Sequence, residues 1–405
     1  YWVLRDDERE VRRKISAASA RAHTRKSHQS SSFKLSPGLY SFRLPLILYL
    51  KSGSILVVKL WSFSVAQLYA LNYLFSVTLT MQVTLTTNKS KYLRYKVIQP
   101  PPPKMCGSPN GPPVTVPRIR LKDGRHLAYK EHGVPRHVAK YKIIYVHGFR
   151  SGRHNVVVAA TLSPEVIEEL GVYIVSFDRP GYGESAPNPK QTVKSMAMDI
   201  EELADQLGLG SKFYVIGYSI GRQAPNFPAN VLNEAFNQKS RKDQWIIRVA
   251  HYAPWLVYWW NTQKLFPASS VLANNSDVLS SQDKEITSRI YSRKDSVCSM
   301  LCPLRSQLVT EQGEFESLHR DLIVTHGAWE FDPLELGNPF ANNDGFVHLW
   351  HGDEDKIVPI TMNRYIAEQL PWIRYHEVSG GGHFFPLADG MSNAIIKAHL
   401  VGEKY

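Results

Sequence analysis

The sequence predicts an α/β fold: a mostly parallel sheet flanked by helices, with a helical cap inserted before the last strands. Three observations carry that prediction. Short β-branched and aromatic runs alternate with amphipathic stretches from about residue 118 to residue 221. The same alternation returns between about 345 and 400. One run, Phe213 to Ile216, leads straight into Gly217-Tyr218-Ser219-Ile220-Gly221, where a serine stands on a tight turn between glycines.

The 405 residues suffice for one large core, or one core with an appendage. The formal charge of +12 is unevenly placed: residues 1–104 carry 17 Lys/Arg against 4 Asp/Glu, and residues 105–405 carry 31 against 32. A neutral main domain gives no support to nucleic-acid binding. The three cysteines (Cys106, Cys298, Cys302) are too few and too scattered for a disulfide framework, and Cys298-x3-Cys302 has no second ligand pair, so they read as ordinary thiols.

Residues 1–104 form a basic N-terminal region. The first 42 residues are Ser-rich with little apolar periodicity, which predicts disorder. No charged residue occurs between Leu60 and Asn88, and basic residues flank the run on both sides (Lys51, Lys59, Lys89, Lys91, Arg94). That length suits a membrane segment over 60–88. Its many Ser and Thr, with Gln67 and Asn72, leave a poorly packed extension as the alternative. A Pro-rich stretch over 99–117 then predicts a stiff extended linker, so that 1–104 should be removable without unfolding the remainder.

The domain over 118–405 opens with two strands around an Asp123-Gly124 turn. Lys142 to Val146 is a strand ending at His147-Gly148-Phe149. Ser163 to Leu170 is a helix, with Ser163 as cap and Pro164 in its first position. Val172 to Phe177 is a strand running into Asp178-Arg-Pro-Gly-Tyr-Gly-Glu-Ser185, and Val193 to Leu207 is an amphipathic helix. After an aromatic-rich cap over about 223–342, Val347 to Trp350 is a strand followed by His351-Gly-Asp-Glu-Asp-Lys-Ile-Val-Pro359. A helix from about Thr361 to Leu370, a strand from Trp372 to Val378, Ser379-Gly-Gly-Gly-His383 and a closing helix near Met391 to Leu400 complete the chain.

A serine on such a turn is held at strained backbone angles, with its hydroxyl above the carboxyl edge of the sheet. The amide of the next residue, Ile220, then faces the place where an oxyanion develops. A histidine able to take the serine proton, and a carboxylate able to orient that histidine, complete the chemistry.

Taken together, the His-Gly pair, the D-R-P-G-Y-G-E-S loop, the G-x-S-x-G turn, the D-x-x-V-P loop and the late glycine-rich histidine resemble the α/β-hydrolases. The Q-P-P-P-P-K and C-G-S-P stretch resembles a plant group of that superfamily. The resemblance implies Ser219 as nucleophile, His383 as base and Asp355 as acid, with Asp353 as the alternative. It implies the amides of Phe149 and Ile220 as oxyanion donors, and Gly217, Gly221, His147 and Gly148 as supporting residues. No metal or organic cofactor is implied. The expected ligand is a small ester or an apolar molecule, and the cap either shapes an acyl pocket or simply packs. Serine rather than aspartate at the nucleophile position argues against the dehalogenase and epoxide-hydrolase branches.

The chain departs from that family just after the serine. Arg222 stands where a second glycine is usual, and Pro225 and Pro228 interrupt any helix. About 25–35 residues, one helix and one strand, are expected to be absent at ordinary element lengths. Three functions follow: a serine hydrolase acting on carboxylic esters through an acyl-enzyme, a catalytically impaired or ligand-binding relative, or a membrane-tethered scaffold acting through its basic N-terminus.

Overall fold

The computed structural model describes residues 2–5, 44–49, 55–60, 98–219, 227–266, 268–270, 272, 275–292, 308–327, 329–340 and 346–403. The chain divides into two compact units, residues 1–24 with 99–405, and residues 25–98. β1 is Trp2–Arg5. In the unit 25–98, β2 (Leu44–Tyr49) and β3 (Ile55–Leu60) pair as an antiparallel hairpin, Leu44 opposite Leu60. Apart from Leu60, the candidate membrane segment lies outside the described residues, among which no helix is long and apolar enough to cross a membrane.

The larger unit is organised on an eight-stranded sheet. β4 (Arg118–Arg120) and β5 (His126–Gly133) form the expected hairpin. β6 (Tyr141–Val146) is the central strand, parallel to β7 (Val172–Phe177) on one side and to β8 (Tyr214–Gly217) on the other. β9 (Val347–Gly352) and β10 (Ile373–Val378) form a further parallel pair. The order is β10-β9-β1-β8-β6-β7-β5-β4.

β1 was not anticipated as part of this sheet. It lies between β8 and β9 and runs antiparallel to both, with Trp2 opposite Gly217 and Leu349. A segment from the N-terminal region thus stands beside the serine strand, where a strand from after the serine was expected. β8 and β9 each gain a hydrogen-bonding neighbour there, which removes two open edges.

Period-two alternation along the strands builds a core on each face. Ile143, Tyr145, Ile174 and Ile216 point to one side, where they meet α1 (Val157–Thr161) and Leu400 near the C-terminus. On that side α2 (Pro164–Leu170) is capped by the Ser163 hydroxyl and stopped by Gly171 at φ 62. Ile144, Tyr173, Val175 and Phe177 point to the other side, against Leu203 and Ala204 of α3 (Val193–Gln206). Thr192 and Ser195 close a capping box at the start of α3.

The cap contains α4 (Ala229–Asn237), α5 (Arg241–Tyr252), α6 (Val257–Thr262), α7 (Ser281–Ser292) and α8 (Arg320–His326). α4 does not lie over the serine. Its Val231 and Ala235 pack on Met362 and Ile366 of α9 (Ile360–Gln369), beneath Val347 and Leu349. α10 (Met391–Leu400) closes the fold. Residues 220–226, Pro225 included, lie outside the described residues, and among the described residues the first helix after Ser219 begins at Ala229.

The proline-rich stretch is pinned along the domain instead of hanging free. The Thr115 hydroxyl and N–H both donate to Glu184, and the Cys106 N–H donates to Gln312 Oε1 at 2.9 Å.

Candidate active site

Ser219 stands two residues beyond the end of β8 at φ 79, one of two positive values among the described non-glycine residues. A side chain in that left-handed region is strained, and the geometry turns the serine out of the sheet. The turn leaves no room on its inner side. A Cβ on Gly148 would lie 2.8 Å from Ser219 Cβ, so only glycine fits in the loop after β6. Gly217 is different, since no described atom lies within 4 Å of where its Cβ would stand. Ile220 and Gly221 lie outside the described residues.

Three predicted residues meet. Ser219 Oγ is 2.8 Å from His383 Nε2, and His383 Nδ1 is 2.8 Å from Asp355 Oδ2. Asp353 is exposed, and its N–H donates to Val378 O, so of the two candidates Asp355 is the carboxylate brought to the imidazole. The other oxygen of Asp355 accepts the N–H groups of Ile357 and Val358 at 2.8 and 2.9 Å. Burial alone would push this carboxyl up. The positive charge it can share with His383 and the hydrogen bonds from His351 and His383 outweigh that and hold it well below the usual carboxylate range.

His147 is placed for support. Its Nδ1 donates to Gly148 O at 2.8 Å and its Nε2 accepts the Arg179 N–H at 3.0 Å. Burial, then the Arg179 charge, keeps its pKa well below the ordinary histidine value, so it is neutral. Arg179 in turn forks onto Asp321 of α8 at 2.8 and 2.5 Å, and Asp178 receives Arg153, so both residues of the D-R-P-G loop brace it. Phe149 is partly buried against the cluster of Tyr182, Val309 and Leu318.

Several contributors were not legible as site residues. His351 Nε2 donates to Val358 O at 3.1 Å while Asn363 donates to its Nδ1, which stiffens the Asp355 loop. The Tyr218 hydroxyl donates to His383 O at 3.1 Å. Lys239, between α4 and α5, donates its ammonium to Ile357 O in the same loop. The i, i+4 spacing of His351 and Asp355 was the only hint available for any of them.

A cavity of about 210 Å³ opens beside Ser219 and His383, walled by Val193, Met196, Val324, Trp329, Trp350 and Phe385 among others. Of the cap tryptophans only Trp329 reaches it, held by a bond from its ring N–H to Val324 O at 2.9 Å. Trp245 and Phe266 instead stack on Trp260 at 6.0 and 5.2 Å, and Trp255 is half exposed. Much of the cap's aromatic content therefore serves its own packing.

Comparison with solved structures returns matches of low identity. The esterase EaEST from Exiguobacterium antarcticum is 16% identical, with a TM-score of 0.41, covering 70% of this chain and 98% of that one. The thermophilic esterase from Thermogutta terrifontis is 16% identical, with a TM-score of 0.44 and coverages of 70% and 97%. The enol-lactonase from Burkholderia xenovorans LB400 is 13% identical, with a TM-score of 0.45 and coverages of 69% and 98%. Comparison with curated protein sequences finds no match. The model of the alpha/beta hydrolase family matches residues 143–392, a span that runs from β6 through the serine turn and the cap into α10. This protein is a member of the alpha/beta hydrolase family.

Proposed function

We propose that the chain is a serine hydrolase that cleaves a carboxylic ester through an acyl-enzyme. The observation that carries this reading is the relay from Ser219 Oγ through His383 to Asp355, with both contacts at 2.8 Å, beside an apolar cavity. Ser219 Oγ attacks the ester carbonyl carbon as its proton passes to His383 Nε2. The oxyanion is received by the N–H groups of Phe149 and Ile220, an assignment that for Ile220 rests on its position after the serine. Asp355 stabilises the imidazolium, which gives its proton to the departing alcohol. Water then attacks the acyl carbon, with His383 as base, and frees the acid and Ser219. Apolar walls suit an apolar acyl or alcohol group, and the sequence needs no metal or organic cofactor. The test is a fluorophosphonate probe. Stoichiometric labelling that vanishes in Ser219→Ala supports the reading, and an unlabelled wild-type chain overturns it.

A second reading, an impaired or ligand-binding relative, is favoured by the region after the serine. Among the described residues the next helix begins at Ala229, and β1 stands in the sheet where the resemblance leads one to expect a strand from that region. A chain that binds apolar esters but neither hydrolyses them nor takes the probe fits this reading.

A further inference from the structure

Asp283 belongs to the cap, yet its carboxylate is spent on the loop that carries His383. It is the third residue of the turn that opens α7, completely buried, and no lysine or arginine pairs with it among the described residues. Capping alone accounts for one of its bonds: the Ser280 N–H donates to Oδ2 at 3.0 Å, while the Asp283 N–H donates to Ser280 Oγ at 3.1 Å. Two more donors come from a hundred residues away. The His383 N–H donates to Oδ2 at 3.0 Å and the Phe384 N–H to Oδ1 at 2.6 Å. Its neighbour Gln282 accepts the Gly382 N–H at 2.8 Å.

Three consecutive N–H groups around His383 are therefore held by two adjacent side chains of the cap. Gly382 shows how close the approach is, since a Cβ there would collide with both Ser280 Oγ and the Asp283 carboxyl. A buried carboxylate without a counter-ion is costly unless several donors face it, and here two of its three donors are His383, the residue facing Ser219, and its neighbour Phe384. Helix capping would need no such reach.

We propose that Asp283, assisted by Gln282, is the positioning residue that sets His383 in register with Ser219, so that the cap governs turnover as well as covering the site. The inference rests on Ser219 and His383 being the reacting pair. Loss of one acceptor lets the loop relax by a fraction of an ångström, and misplacement on that scale lowers rate by about tenfold to a hundredfold.

The experiment uses the full chain and its Asp283→Asn and Gln282→Ala variants. Three quantities are read: the rate constant and final stoichiometry of fluorophosphonate labelling, kcat and KM on p-nitrophenyl butyrate, and hydrogen exchange of the peptide spanning 380–385. Positioning predicts slower labelling of every molecule with the end point preserved, kcat down with KM within about threefold, and faster exchange at 382–384. A purely structural role lowers the labelled fraction and leaves the rate constant of the folded molecules unchanged, which overturns the proposal. If Asp283→Asn does not fold, Gln282→Ala carries the test through the same readouts at smaller amplitude. If the wild-type chain takes no probe, the hydrolase reading fails separately. Exchange then decides the clamp, and unchanged protection at 382–384 in the variants overturns it.

Discussion

Replacing Asp355 by asparagine tests the relay at its most constrained atom. Oδ1 already accepts two N–H groups, from Ile357 and Val358, and Oδ2 alone faces His383 Nδ1. Asparagine has one acceptor oxygen. Satisfying the two backbone donors turns the amide N–H₂ toward the imidazole, and that favours the tautomer protonated on Nε2. Nε2 then has no lone pair for the Ser219 proton. The expected loss is about 10⁴-fold in kcat, equivalent to about 5 kcal/mol of transition-state stabilisation. Fold should be retained, because volume and the two backbone bonds are kept. The assay is p-nitrophenyl ester hydrolysis with probe labelling, beside a thermal melt. Asp353→Asn, on an exposed side chain, should change kcat by less than about threefold. An Asp355→Asn enzyme within tenfold of wild type, or a larger loss in Asp353→Asn, would refute the assignment of the acid.

Gly148→Ala should depress kcat by about 10²-fold with a near-normal melt, since the new methyl meets Ser219 Cβ and moves the nucleophile; an unchanged kcat would show the loop gives way freely. Stability should decline in acid through His348, whose pKa is lowered from 6.5 to about 4 by burial and then by His376 and Arg374. The folded state binds that proton more weakly than the unfolded chain, so stability is full above pH 6.5 and is lost as pH falls through 6.5 toward about 4. Tm measured across that window should fall less steeply in His348→Gln, and parallel curves would remove His348 as the cause. Deleting residues 1–104 takes away β1 and reopens β8 and β9, so the shortened chain should aggregate and show faster exchange at 214–217 and 347–350. A soluble, fully protected product would show β1 to be dispensable, as the sequence alone suggested.

The sequence by itself placed most of the elements and pointed to the residues of the candidate site. β7 and α10 lie where their residue patterns placed them, β6, β8, β9 and β10 differ by a residue or two at their ends, and β5 runs four residues further than expected, to Gly133. These are local properties: β-branched runs that suit a pleated surface, a serine cap, a proline in a first turn, glycines where the chain must bend. Ser219 and His383 were legible because their chemistry demands a particular local frame. What only the tertiary structure decided depends on chain segments meeting from afar. Choosing Asp355 over Asp353 required knowing which carboxylate faces inward, since both occupy the same short loop. Nothing in Trp2–Arg5 announces a strand between β8 and β9, because a strand's partner is set by the edges left open elsewhere. Nothing in the local sequence marks Asp283, in α7, or Lys239, between α4 and α5, as a partner of distant loops. Their place at the triad loops follows from burial and donor geometry across about a hundred residues of sequence, which no local periodicity encodes.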